Sequence, residues 1–286
     1  MKKARTPNHK SSKKLISSLT LILIFLSVCV IYQSFYFRKS IPDMTELPKD
    51  VKQSIKDVKP QKNLEVPILL YHYVEYVKDP GDTIRKSLNI LPPTFEVEIK
   101  TLKDAGYSFV TMADLANALD DRVTLSPKSV ILTFDDGYRD FYTDVFPILK
   151  RQQVKATVFI VPNFLDKPNN MDTWMIKEIA QSGLVEIGAH TMNHTYLTSL
   201  PLKRVEYEVI QSKKYLEKLL GYRIVSFAYP YGAFDNTTID VVKKAGFRSA
   251  VTTISGFFTQ DLNRFFLYRI RPGGRVGESL LELLKF

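Results

Sequence analysis

Residues 129–137, Ser-Val-Ile-Leu-Thr-Phe-Asp-Asp-Gly, run from an apolar strand-type stretch directly into two adjacent carboxylates, Asp135 and Asp136. Acids at the carboxyl end of a parallel strand face the ligand side of an α/β fold. One of the pair can bind a cation while the other stays free to take a proton, although Asp-Asp-Gly is also good turn chemistry. A second element decides between the two. Residues 186–194, Glu-Ile-Gly-Ala-His-Thr-Met-Asn-His, again lead from a short strand into a loop, which offers His190 and His194. Only four histidines exist in the chain, His9, His72, His190 and His194. Two of them in His-x-x-x-His spacing, with one carboxylate, make three borderline ligands, a set that suits zinc and leaves a position open for water.

Thr-Phe-Asp-Asp-Gly followed by His-Thr-Met-Asn-His resembles the first two motifs of the polysaccharide deacetylases, carbohydrate esterase family four, the NodB-homology domain. The resemblance covers about residues 66–271. Tyr229-Pro230-Tyr231-Gly232 is similar to the family's third motif, Arg-x-Pro-Tyr-Gly, and implies that the Tyr231 backbone N–H holds a tetrahedral oxyanion. Residue by residue, the resemblance makes Asp136, His190 and His194 the metal ligands and Asp135 the general base. The metal it implies is Zn2+ first, with Co2+ or Ni2+ as alternatives.

Three departures accompany it. Ala228 stands where many members carry the arginine that orients the base, no fourth motif is evident, and no histidine follows His194. Tyr71-His72, after the apolar run from Pro67, is similar to the circularly permuted branch that includes the poly-N-acetylglucosamine deacetylases. There the leading strand takes the place of the trailing one, so His72 is the expected general acid; a buried structural histidine is the competing reading. Arg269, in Tyr-Arg-Ile-Arg near the C-terminus, is the candidate to replace the missing arginine beside Asp135. Tyr138 and Trp174 offer faces on which a sugar can stack, or fill core and rim positions.

The elements that must position these groups alternate. Strand-type runs fall at 66–71, 108–111, 130–134, 156–161, 185–188, 225–229 and 249–252, separated by amphipathic stretches at 94–105, 201–220 and 235–245, each closed by a glycine. In the longest, Ser199 is the expected N-cap, and Leu202, Val205, Val209, Leu216 and Leu220 make the buried stripe. Repeated βα units predict an α/β fold with a mainly parallel sheet. The resemblance makes it an irregular (β/α) barrel of about seven strands, permuted. Loops at 74–93 and 164–172 are expected to carry substrate choice.

The chain before this domain has a different character. Residues 15–37 carry no charge and are rich in Leu, Ile, Val and Phe, enough to cross a bilayer as one helix. Six basic residues precede the run, which keeps the N-terminus cytoplasmic and the rest outside. The expected organisation is a basic tail (1–14), a transmembrane anchor (15–37), a Pro- and Lys-containing stalk (38–63) and the deacetylase domain (64–286). Cys29, the only cysteine, lies within the apolar run; a lipoprotein box there has Val28 in a poor position, and an uncleaved anchor is favoured. Of the 40 basic residues, eight fall in the first 39 positions, where no acid occurs; the remainder carries 32 against 30 acidic. The charge of +10 therefore belongs to topology, and no nucleic-acid partner is expected. The expected activity is removal of N-acetyl groups from an acetylated cell-surface polysaccharide, with protein partners unspecified. An O-acetyl esterase and a catalytically silent glycan-binding protein are the alternatives.

Overall fold

The computed structural model describes residues 65–79, 81–256 and 263–285, so the expected anchor, tail and stalk lie outside the described residues. Among those residues no helix is long and apolar enough to cross a membrane. The strands are β1 (Ile68–Tyr71), β2 (Tyr73–Val74), β3 (Asn89–Ile90), β4 (Ser108–Val110), β5 (Ser129–Phe134), β6 (Ala156–Ile160), β7 (Val185–Ala189), β8 (Ser226–Ala228), β9 (Ser249–Ser255) and β10 (Leu267–Arg269). Between and after them come helices α1 (Thr83–Leu88), α2 (Pro92–Asp104), α3 (Met112–Leu119), α4 (Phe146–Gln152), α5 (Thr173–Gln181), α6 (Leu202–Leu220), α7 (Asn236–Lys244) and α8 (Glu278–Leu283).

Every pairing in the main sheet is parallel, in the order β1-β5-β6-β7-β8-β9-β10. The two ends of that order also meet. Leu70 N–H donates to the Ile270 carbonyl and Ile270 N–H to the Ile68 carbonyl, both at 2.8 Å, so the first strand closes seven strands into a ring against the last. A strand inside such a ring faces side chains on both sides. This is why β5 is buried at all six positions and its sequence reads as a continuous run, not as an alternation.

Seven strands were expected, but the set differs by one member. Residues 108–110 pair only with the lower half of β5, beside the ring, and β10 takes the seventh place. Three residues with a central tyrosine and an arginine at the end carry too little apolar pattern to be read as a strand. Helix α6 begins one residue later than expected and its cap lies two residues further on: Pro201 is its N-cap, Ser199 sits in a preceding 3₁₀ turn, and Leu202 is 52% exposed, off the buried stripe. Its C-terminus follows expectation, with Gly221 left-handed at φ 79° and its N–H on the Glu217 carbonyl.

One buried acid supports the strand that precedes His72. Glu98, on the inner face of α2, is fully buried and accepts a hydrogen bond from the Tyr71 hydroxyl at 2.9 Å. Tyr71 in turn stacks on Phe134 and meets Phe95 edge-on. Burial pushes the Glu98 carboxyl up to about 8, against the opposing pull of the Tyr71 hydroxyl and the Gly274 N–H. The folded state thus binds this proton more tightly than the unfolded state. The resulting stabilisation is complete below pH of about 4.5 and is lost as pH rises through 8. Replacing Glu98 by Gln removes the titration. Between pH 5 and 9 the unfolding free energy of the variant, measured by chemical denaturation, should gain about 3–5 kcal/mol relative to wild type; parallel stability curves would show that Glu98 is not buried in this way.

Candidate active site

The carboxyl ends of β1, β5, β7, β8 and β10 bring the expected residues to one mouth of the ring. Asp135 and Asp136 follow β5 directly, His190 and His194 follow β7, Tyr231 follows β8, Arg269 ends β10 and His72 follows β1. Asp135 and Asp136 are both buried, and two carboxylates side by side in a dry site must each be compensated. The structure does this separately for each.

Asp135 is met by Arg269. The guanidinium makes a two-pronged contact, Nη1 to Oδ1 at 2.8 Å and Nη2 to Oδ2 at 2.7 Å, and its remaining donors reach the Thr133 hydroxyl and the Thr252 carbonyl. Arg269 is fully buried, so its charge persists there only because it is paired and hydrogen-bonded on almost every side. Burial alone would raise the Asp135 carboxyl, but Arg269 more than offsets it and holds the group below the ordinary carboxylate range. Arg269 comes from a different strand than the family arginine, whose position is Ala228. That residue serves His190 instead: its carbonyl accepts from His190 Nδ1 at 2.7 Å.

A carbonyl can only accept, so Nδ1 of His190 carries the proton and Nε2 presents its lone pair. That Nε2 lies 3.4 Å, and His194 Nε2 3.1 Å, from the same oxygen of Asp136. The three ligand atoms fall within 4.8 Å of one another. Oδ1 of Asp136 is buried and has no hydrogen-bond partner. Three acceptors converging on one point repel one another unless a cation or protons sit between them. Burial opposes charge on both Asp136 and His190, yet the imidazoles pull the carboxyl well down and the carboxylates pull the imidazole up. The donor set, one oxygen and two imidazole nitrogens, fits a divalent ion of the zinc type with a position left open.

Strain marks the same spot. Asp136, Thr191, His194 and Tyr231 all have positive φ, between 55° and 72°, a region that costs residues other than glycine about 1–2 kcal/mol each. At Gly232, beside Tyr231, a Cβ would stand 2.2 Å from the Thr253 hydroxyl, so only glycine admits the turn. Thr252 and Thr253 then bind the carbonyls of Gly232 and Tyr231. The Tyr231 ring is 54% exposed and meets His194 edge-on at 4.6 Å.

Among the described residues His72 has no side-chain hydrogen bond, but it lies in the field of both aspartates. Burial lowers its pKa most, the two carboxylates raise it, and the balance is lowered, so the ring is neutral near pH 7. Tyr138 stacks on Tyr73 at 4.1 Å, and burial together with the Asp136 carboxylate keeps its phenol protonated. Trp174 is exposed and meets Tyr142 edge-on. Residues 164–172, expected to carry substrate choice, make a structural contact: Met171 N–H binds the Gly137 carbonyl and Asn170 Nδ2 the Asp136 carbonyl, so the loop braces the Asp-Asp-Gly turn. Sequence reasoning missed Thr133 and Thr252 as supports of Arg269; alternation along β5 places Thr133 on the same side as Asp135, which was the available signal.

A parallel α/β ring with paired aspartates and a two-histidine loop at its carboxyl mouth has the make-up of a hydrolase site. A family model described as polysaccharide deacetylase matches residues 122–250. The Bacillus subtilis protein YxkH, itself assigned to the polysaccharide deacetylases, is 31% identical over 232 residues, 80% of each chain. A Staphylococcus aureus protein named poly-beta-1,6-N-acetyl-D-glucosamine N-deacetylase is 29% identical over 210 residues, 69% of this chain and 72% of that one. The Streptococcus pyogenes deacetylase PplD, solved in complex with acetate, superposes with a TM-score of 0.74 at 30% identity, over 79% of this chain and all of that one. The chain belongs to the polysaccharide deacetylase family.

The family match from 122 to 250 leaves out both His72 and Arg269. Coupling between Arg269 and Asp135 can be measured directly. Arg269→Met, which keeps much of the volume but strands a buried carboxylate, should cost about 3–5 kcal/mol of stability. Adding Asp135→Asn should recover a large part of that loss in a double-mutant cycle; strictly additive losses would show that the pair is not energetically coupled.

Proposed function

We propose that the chain is a membrane-anchored, extracellular, metal-dependent deacetylase that removes N-acetyl groups from an N-acetylglucosamine-containing polysaccharide. The observation that carries the reading is the division of labour between the two aspartates: one faces two imidazoles across a cation-sized gap, the other is held as a free carboxylate by Arg269. A silent glycan-binding protein has no use for that second arrangement.

Asp136, His190 and His194 would hold the ion, with Zn2+ favoured by the ligand set. The ion supplies Lewis acidity, making water easier to deprotonate and the acetyl carbonyl easier to attack. Asp135, ionised at neutral pH, accepts the proton as the water oxygen bonds to the carbonyl carbon. The Tyr231 N–H donates to the oxygen on which negative charge develops. Nitrogen must gain a proton before the C–N bond breaks, and His72, which follows β1 at the same mouth, is the donor we assign. Because His72 starts neutral, the proton it delivers would be the one released by water; the count balances with one free amine and one acetic acid, which leaves as acetate plus a proton.

A polymer needs contacts beyond the reacting unit. A cavity of about 550 Å³ bounded by Glu75, Arg85, Arg139, Asp140, Asp144 and Asn169 offers polar walls for sugar hydroxyls. Arg85 also lies over the Tyr73 ring, which stacks on Tyr138, so the cavity adjoins the reaction site. The substrate names of the S. aureus relatives support N-acetylglucosamine as the reacting unit.

The test is acetate release from defined N-acetylglucosamine oligomers by the full chain in detergent. His72→Asn should keep metal and fold while kcat falls by roughly two to four orders of magnitude. Wild-type turnover by the metal-loaded variant would remove His72 from the mechanism, and no acetate from any acetylated glycan would remove the activity.

The membrane part of the proposal rests on the uncharged run at 15–37 with its basic leader. Protease added to intact cells should cut the domain free, and protection under conditions that digest a known surface protein would contradict the topology.

A further inference from the structure

Helix α6 turns one acid inward. Val205, Val209 and Leu216 form its buried stripe, and Glu208 falls on the same face, fully buried. A carboxylate in such a position is costly unless hydrogen-bonded, so its partners show what it is for. Apart from Arg204, on its own helix, they belong to the loop that carries the second histidine. Oε2 of Glu208 accepts from the Asn193 N–H at 2.9 Å, and Oε1 accepts from Asn193 Nδ2 at 2.9 Å. The Glu208 backbone carbonyl takes the Met192 N–H at 3.0 Å. Arg204, half exposed, pairs with Oε1 from solvent at 2.9 Å.

The loop needs these ties. Thr191 and His194 have φ of 60° and 55°, conformations that side chains other than glycine adopt only when the surroundings enforce them. The Glu208 contacts fall on residues 192 and 193, between the two strained positions. From the other side Asn163 donates its N–H to the Met192 carbonyl at 3.2 Å and its Nδ2 to Asn193 Oδ1 at 2.6 Å. Asn193 is thus gripped at its N–H and at both side-chain atoms, one residue before His194.

We infer that Glu208 is a positioning residue of the metal centre, holding the 191–194 loop so that His194 Nε2 reaches the cation position beside Asp136. The inference rests on the metal reading proposed above. An apolar residue at 208 would continue the stripe and serve packing alone; it would leave the Asn193 N–H without its acceptor and release His194 to other conformations. His190, tied separately through Nδ1 to the Ala228 carbonyl, would stay in place, so the site would keep two ligands and lose the third.

The experiment measures Zn2+ affinity of the full chain in detergent by competition with a chelator, alongside the melting temperature of the metal-free protein. Glu208→Ala should weaken Zn2+ binding about 10- to 100-fold, the usual effect of removing the group that orients a ligand. Glu208→Gln should retain most of the affinity: its amide oxygen still accepts from the Asn193 N–H, and the Asn193 and Asn163 amides can turn over to match its NH₂ group. Val209→Ala, one position along the same buried face, controls for helix destabilisation; it should lower the melting temperature and leave affinity within about threefold of wild type. If Glu208→Ala does not fold, Asn193→Ala decides, with a several-fold loss expected.

Affinity within about threefold of wild type for Glu208→Ala, or for Asn193→Ala in its place, overturns the inference, and so does an equal loss in Val209→Ala. Absence of Zn2+ binding by the wild-type chain would instead overturn the metal reading itself.

Discussion

The site depends on keeping two neighbouring carboxylates ionised, and different, in a place with little water. At close range two negative charges in a low-dielectric setting push at least one of the pair toward protonation. The fold avoids this by giving each acid its own counterpart from a different direction. Arg269 meets Asp135 from inside the ring, while the loop after β7 brings two imidazoles to Asp136. Positive φ at Asp136 turns its side chain away from that of Asp135 instead of continuing the strand. The two groups are adjacent in sequence and separate in chemistry.

This arrangement explains why closure of the ring matters to function. Arg269 ends β10, and β10 is three residues long with an irregular register against β9. Its other neighbour is β1, through the two backbone bonds between Ile270 and Ile68–Leu70. The same strand β1 lies in register with β5, Tyr71 opposite Phe134, and so delivers His72 beside the carboxylates. The first strand therefore fills two roles. It completes the barrel that buries Arg269, and it carries the one remaining histidine of the described residues to the mouth.

Most of this was legible in the sequence where local pattern and chemistry coincide. The apolar run into Asp135-Asp136, and the paired histidines after β7, each announce an element and its ligands within nine residues. The strand β10 was not legible, because three residues with one outward tyrosine give no periodicity, and its importance comes from long-range pairing. Arg269 was singled out only as a substitute for an arginine absent at Ala228; its depth of burial follows from closure, which no local pattern encodes. The substrate loops were half legible. Residues 164–172 have the composition of a variable loop, yet Met171 braces the Asp-Asp-Gly turn through a backbone contact that any sequence could make, and Asn170 through its side-chain amide. Glu208 was not singled out from the sequence, although an acid falling on the apolar stripe of α6 is a local conflict of the kind that tends to mark function.

In the mechanism proposed above, a neutral His72 would constrain the order of events. Burial opposes a cationic His72 most, Asp135 and Asp136 favour it, Arg269 and Arg271 oppose it, and the balance is a lowered pKa. On that mechanism, attack would have to release a proton before the amine could leave, and His72 would carry it only between those two moments. Leaving-group departure would then be coupled to attack, because the acid would be created by the step it must follow.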